Sequence, residues 1–358
     1  MPAPLITCRG QCPWFDGCGG LDETQPTLEG CFASCGRIVE PEGVTECQFY
    51  SWACPCRGDA FHALVQEVGT LYARPWKPLR PPAIDLPAYI PIVRHGSGRR
   101  APLSYGVVGI SITDLMPQAR EATYGPIVHT PEALRAHFGL APGTKVILSG
   151  VANDPVIEYF WRYRTVNDVV RRLAALDIAA VTTPNFSLPR NAPRTHSLYN
   201  LKRILISTEN LSAGLGVIPH IHAQTEEDWL RWAWLLRGQR DIRYVACEMQ
   251  TGHRSPARAR WAIEKLCEMQ DRVGRALHPV AMGAVQHTAI FAEHFDSFTV
   301  VDSHPFMSAV KQREIMRVGR RRVMIPRDTL LRRNIRRRQQ LVESEIERVR
   351  RRRLPIAS

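Results

Sequence analysis

Eight short apolar runs alternate with amphipathic stretches between residues 88 and 302, and this alternation constrains the fold more than any other feature. The runs are Ala88–Val93, Tyr105–Thr113, Lys145–Gly150, Ile178–Thr183, Gly216–His222, Ile242–Glu248, Leu277–Gly283 and Phe298–Asp302. Helical periodicity is clearest over Val166–Leu176, Leu198–Ala213, Glu226–Arg237, Pro256–Val273, His287–Phe295 and Pro305–Met316. Thr225-x-x-Asp228 and Ser255-Pro256 read as helix starts, one a capping pattern and the other a cap followed by proline. An apolar run, a polar tip and an amphipathic helix make the βαβ unit of a parallel sheet. Eight such units predict an α/β chain with a (β/α)8 TIM-barrel-like body, a doubly wound open sheet being the alternative. Neither G-x-G-x-x-G after a strand nor G-x4-G-K-[ST] occurs, so both common nucleotide loops are missing.

The chain around this body divides by composition. Residues 1–60 are Cys-rich, 61–87 hold an expected helix (Ala60–Leu71) and a proline-rich passage, 88–317 carry the alternation, and 318–358 are expected as an Arg-rich helical arm. Six prolines fall between Pro75 and Pro91. Proline lacks an amide donor and fixes φ, so this passage is expected as an extended connector outside the core.

Of ten cysteines, eight lie in the first 56 residues: Cys8, Cys12, Cys18, Cys31, Cys35, Cys47, Cys54 and Cys56. No apolar run approaches the roughly 18 to 20 residues that span a bilayer, and the start lacks a basic-then-apolar secretory pattern. A cytoplasmic protein with no membrane partner is expected, and in a reducing compartment such a cluster binds metal more often than it forms disulfides. The paired C-x2-C knuckles of a zinc ribbon are missing, as is the radical-SAM C-x3-C-x2-C. Cys12 and Cys54 each precede proline, as the last ligand of bacterial ferredoxin runs often does. One or two iron–sulfur clusters of the four-iron type are therefore expected, with zinc as the alternative. A structural staple for a segment too small to build a core is an equal role for that metal.

The formal charge of +13 is concentrated at one end. Residues 311–358 hold 17 Lys or Arg against 5 Asp or Glu, leaving the rest of the chain nearly neutral. Guanidinium forks match phosphate geometry, so a nucleic-acid partner, DNA or RNA, is expected for Arg320, Arg321, Arg322, Arg332, Arg333, Arg336, Arg337 and Arg338. Leu330, Leu331, Ile335, Leu341, Val342, Ile346 and Val349 interleave at near-helical spacing and predict a long helix from about Asp328. Its apolar stripe would pack on the body or on another subunit.

In parallel α/β folds ligands bind beyond the carboxyl ends of the strands. The candidates there are Asn185, His220, His222, Glu248 and Asp302, as acid, base and substrate holders. His220 and His222 stand two apart on one strand and so share a face, from which both could reach one metal ion with Glu248 and Asp302. Cys247 and Cys267 read as small buried hydrophobes, and Trp229, Trp232 and Trp234 as core.

The turn Thr183-Pro184-Asn185-Phe186-Ser187, the following Asn200 and the strand Gly216-Val217-Ile218-Pro219 resemble the domain of unknown function 4417 over residues 178–222. That family occurs in bacteria, phages and mobile elements, and more often has Asp at the position of Asn185. The resemblance implies a mobile-element setting and a site at this turn.

These features lead to a nucleic-acid-associated protein, favoured as an enzyme acting on nucleic acid or nucleotide at the strand ends. Two alternatives stand beside it: a non-catalytic DNA- or RNA-binding component of a phage or mobile-element assembly, and a metal-dependent hydrolase of a small substrate whose basic helix serves oligomerisation.

Overall fold

The computed structural model describes residues 66–69, 74–117, 121–186, 194–223, 226–250, 255–316 and 319–353. Of these, 66–69, 74–75, 186 and 194–206 belong to one compact unit and the remainder to a second. Cys8, Cys12, Cys18, Cys31, Cys35, Cys47, Cys54 and Cys56 lie outside the described residues, as does most of the helix expected over Ala60–Leu71.

In chain order the first elements are β1 (Tyr89–Pro91), β2 (Val107–Ser111), α1 (Ile112–Leu115), α2 (Pro131–Phe138), β3 (Lys145–Ser149), α3 (Asp154–Tyr163), α4 (Val169–Ala174) and β4 (Ile178–Thr182). Then come α5 (Arg194–Ser212), β5 (Val217–Ile218), α6 (Glu226–Arg237), β6 (Tyr244–Glu248), α7 (Pro256–Val273), β7 (His278–Met282), α8 (Thr288–His294) and β8 (Thr299–Asp302). The last are α9 (His304–Val310), β9 (Arg313–Ile315), β10 (Arg320–Arg322) and α10 (Arg327–Arg353).

The larger unit is an α/β structure with two four-stranded parallel sheets, ordered β2-β3-β4-β5 and β1-β8-β7-β6. Val108 pairs with Val146 and Val181 with Val217 in the first, Ile90 with Val301 and Ala246 with Val280 in the second. Backbone bonds also join the sheets. Val93 N–H donates to the Gly109 carbonyl at 2.9 Å, Ile221 N–H to Ala246 at 2.7 Å, and Ala246 N–H to Pro219 at 2.8 Å. One apolar cluster draws on every strand from β1 to β8, through Ile90, Val107, Ile147, Ala180, Ile218, Ala246, Val280 and Val301. Side chains alternate along a strand, so these residues define a shared face, and their immediate neighbours in sequence lie on the reverse face.

Local signals explain the helix bounds. Thr130 Oγ1 accepts the Ala133 N–H at 3.1 Å with Pro131 at the first turn, and Gly139 ends α2 at φ +56°. Ser255 caps α7 in the same way, and Gly274 at φ +77° closes it. Glu226–Arg237 and Pro256–Val273 coincide with the periodicity of the sequence.

Four expectations are corrected. The apolar run Tyr105–Thr113 stops as a strand at Ser111, whose side chain accepts the Thr113 N–H and starts α1. The helix expected over Pro305–Met316 ends at Val310, because Gln312 takes φ +53° and turns the chain into the antiparallel pair β9–β10. Arg320–Arg322 are thus strand residues. The proline-rich passage, expected as a connector outside the core, is built into the body: Leu79 and Leu86 are buried, and Leu86 joins the central cluster. With few amide donors of its own, it finds partners for those it has. Leu79 N–H donates to Gln239 Oε1 at 2.9 Å, Arg80 N–H to Ser212 Oγ at 2.6 Å, and Leu86 N–H to the Tyr244 hydroxyl at 3.2 Å.

Helix α10 docks on its own body. Leu330, Leu331, Ile335, Val342, Ile346 and Val349 are buried, each contributing about 1.5–3 kcal/mol of apolar burial. The fully buried Asn334 amide accepts the Ile315 N–H at 2.8 Å and donates to the Arg313 carbonyl at 2.9 Å, fastening β9 to the helix. Among the described residues no helix is long and apolar enough to cross a membrane.

Candidate functional site

The carboxyl end of β5 carries the first candidate. Ile218 belongs to the shared face, so His220, two residues on, points the same way. It is only 2% exposed, and its Nδ1 has no hydrogen-bond partner. Its backbone N–H donates to Thr183 Oγ1 at 2.8 Å, which ties the ends of β4 and β5 together. Burial first, then the neighbouring His222, hold its pKa down at about 3, so the ring is neutral at ordinary pH. His222 is half-buried, and its carbonyl accepts the Trp232 indole N–H at 3.0 Å.

Glu248 also lies on the shared face, two residues beyond Ala246, which stands opposite His220. It is half-buried. The structure thus brings His220 and Glu248 to one face at adjacent strand ends, with His222 two residues further along the chain. The expected metal site is not met: among the described residues, no three His, Cys, Asp or Glu side chains are grouped to hold an ion.

Asn185 is a positioning residue in this geometry. Its Oδ1 accepts the Ala152 N–H at 3.2 Å and holds the loop after β3 against the loop after β4. The two strand ends approach closely there: a Cβ on Gly150 would lie 2.8 Å from the Thr183 carbonyl oxygen. Ser149 Oγ sits 4.0 Å from Met282 Sδ, so residues of β3 and β7 meet across the shared face.

Asp302 is elsewhere. Val301 occupies the shared face, so Asp302 takes the reverse one, and its carboxylate is fully engaged. Oδ1 accepts the His304 N–H at 2.9 Å, while Oδ2 accepts the Tyr89 hydroxyl at 3.2 Å and Arg338 Nε at 2.8 Å. Arg338, expected to meet phosphate, instead turns inward, its side chain 18% exposed. The alternation of side chains along β8 separates Asp302 from the other candidates.

The remaining arginines of the basic segment differ in their freedom. Arg321 pairs with the buried Glu314 at 2.8 Å, with Arg333 further off at 3.9 Å, and Arg332 donates to the Pro102 carbonyl at 2.9 Å. Arg320, Arg322, Arg336 and Arg337 are exposed and meet no carboxylate among the described residues.

One group escaped the reading of motifs. The loop after β1, His95-Gly96-Ser97-Gly98-Arg99-Arg100, packs against the start of α10, and Arg94 at its head grips Asp114 with contacts of 2.8 to 3.1 Å. Two glycines between a strand and an Arg pair were the signal for it. Cys247 is buried, and its thiol is pushed up to about 12, first by burial and then by Glu248, while Cys267 is half-buried. Trp229 and Trp232 are core, whereas Trp234 is 46% exposed. No protein-family model matches the chain, and the comparison with curated proteins returns no match.

Proposed function

We propose that this chain is a nucleic-acid-associated protein that contacts phosphates through the outward arginines of β10 and α10. The observation that carries the reading is the division of labour along α10. Its apolar stripe is buried against the body, while Arg332, Arg333, Arg336 and Arg337 face solvent beside the exposed Arg320–Arg322. A cationic surface held on a rigid scaffold loses little side-chain and backbone freedom when it meets a polyanion.

The same reading takes the two sheets as one (β/α)8-like barrel. It is supported by the backbone bonds joining the sheets at both junctions and by the central cluster fed from eight strands. The N-terminal cysteines would hold an iron–sulfur cluster or zinc, on ligand chemistry alone. An enzyme working at the strand ends is a second reading, favoured by the buried, unpartnered Nδ1 of His220.

The test is binding of single-stranded and duplex DNA and RNA, followed by anisotropy as salt rises from about 50 to about 200 mM. Affinity should fall steeply, and the double variant Arg336→Gln/Arg337→Gln should lower the log–log slope by roughly two. Salt-insensitive binding, or an unchanged slope in that variant, rules the reading out.

A further inference from the structure

We infer that the loop after β1 and the first turns of α10 form a binding site for a phosphate monoester, formed by Arg99 and Arg327 with Arg94, His95 and Arg332 around them. The site does not depend on Arg320–Arg322, Arg333, Arg336 or Arg337.

The glycines of this region make room for the two arginines. A Cβ on Gly98, which sits at φ +73°, would collide with Arg327 Nη1, and one on Gly139, at φ +56°, would lie 2.7 Å from Arg99 Nη2. Gly96 must also be bare, since its Cβ would fall 2.9 Å from the Gly139 backbone nitrogen. Side chains at Gly98 and Gly139 would fill the room that the two guanidiniums now occupy, and one at Gly96 would strike backbone.

The guanidinium of Arg99 is only partly used. Nη2 donates to the carbonyls of His95, at 3.0 Å, and Phe138. Nε and Nη1 are buried and have no hydrogen-bond partner. Buried charged donors without acceptors are rare and costly, so two on one side chain point to an absent acceptor. Nδ1 of His95 is likewise buried and unpartnered, its ring held edge-on to Phe306 at 5.0 Å. Burial, then Arg327 and Arg99, lower the His95 pKa, so the three groups lie within electrostatic reach of one another.

The charge balance selects a dianion. Arg94, Arg99, Arg327 and Arg332 surround the place, and two carboxylates oppose them. Asp114 is taken by Arg94. Asp328 lies near Arg99 without bonding it, and its Oδ1 is buried and unpartnered. A net excess of positive charge remains after both carboxylates. A phosphate monoester carries about −1.5 to −2 at pH 7 and offers three acceptor oxygens, which suits this excess better than the single charge of a backbone diester.

The experiment uses the full chain and titrates inorganic phosphate, a nucleoside monophosphate, and oligonucleotides bearing a 5′-phosphate or a 5′-hydroxyl. Calorimetry and the Tm shift should show saturable phosphate binding, and Arg99→Gln should weaken it about tenfold or more. Arg327→Gln gives the same reading should Arg99→Gln fail to fold. Asp328→Asn should tighten binding by removing repulsion. A preference for the 5′-phosphorylated oligonucleotide assigns the site to nucleic-acid ends, whereas equal oligonucleotide binding beside tight nucleoside monophosphate binding assigns it to a small phosphate. Absence of saturable binding, wild-type affinity in both arginine variants, or no effect of Asp328→Asn overturns the proposal.

Discussion

Arg338 donates its Nε to Asp302 Oδ2 at 2.8 Å, and this bond fastens the basic helix to the end of β8. The same oxygen accepts the Tyr89 hydroxyl, and burial, then the charge of Asp302, raise the Tyr89 pKa well above its ordinary value. Loss of Arg338 leaves a nearly buried carboxylate without its cation. Arg338→Ala should cost about 3–5 kcal/mol in urea unfolding, and Arg338→Met combined with Asp302→Leu should recover much of it. A single-variant cost below about 1 kcal/mol would show that the pair is only surface decoration.

Asn334 holds β9 by both ends of its amide, with no exposure to solvent. Asn334→Leu keeps the volume but strands the Ile315 N–H and the Arg313 carbonyl. The expected loss is about 2–4 kcal/mol, from two buried groups left without partners. Trypsin should then cut the β9–β10 hairpin, whose arginines make it a ready substrate once it lifts. Unchanged stability and proteolysis would remove Asn334 as the clasp.

Two buried histidines set the acid limb of stability. His220 is held down to about 3, and His278 to about 4 by burial and then Arg243, its ring between Ser297 and Thr299 hydroxyls at 3.0 and 2.8 Å. Both are neutral in the fold, while the unfolded chain takes up their protons near pH 6.5. Stability should therefore be complete above about pH 6.5 and fall by about 1.4 kcal/mol per unit for each group down to about pH 4. The double variant His220→Gln/His278→Gln should have a shallower dependence between those limits, read from urea midpoints at several pH values. An equally steep limb would place the proton uptake on other groups.

Metal analysis of anaerobically purified protein tests the cysteine cluster. Iron with absorption at roughly 400 nm is expected for thiolate-held clusters, and a chelator should strip the metal and lower Tm. Colourless protein with stoichiometric zinc would replace iron–sulfur by zinc, and metal-free protein would remove both.

How far the sequence was legible depends on which physical signal a residue carries. The strands were readable because Val, Ile and Ala runs buried on both faces leave little else they can form, and α6 and α7 because their apolar positions recur every three or four residues. The helices α2 and α3 were passed over because both are short, at 8 and 10 residues, so an apolar stripe has few turns in which to repeat. Asp302 was misplaced because the end of a strand was read without its face, although Val301 beside it belonged to the apolar run. The proline-rich passage misled for another reason. Composition reports how few donors it has, while its partners, Gln239, Ser212 and Tyr244, lie more than a hundred residues away. Arg99 was hidden because a tail of seventeen cations drew attention from a single loop.

The two-residue strand β5 has a kinetic consequence. Its neighbour β4 pairs with it through two positions, and β6 is joined to the following residues by just two backbone bonds, with Pro219 unable to donate a third. By contrast β6 and β7 are paired over five positions. Opening of the ladder therefore starts beside His220, and the amide protons of Ile221 and Ala246 should exchange with solvent deuterium well before those of β7. Among the described residues, the shortest strand thus lies beside the most deeply buried histidine.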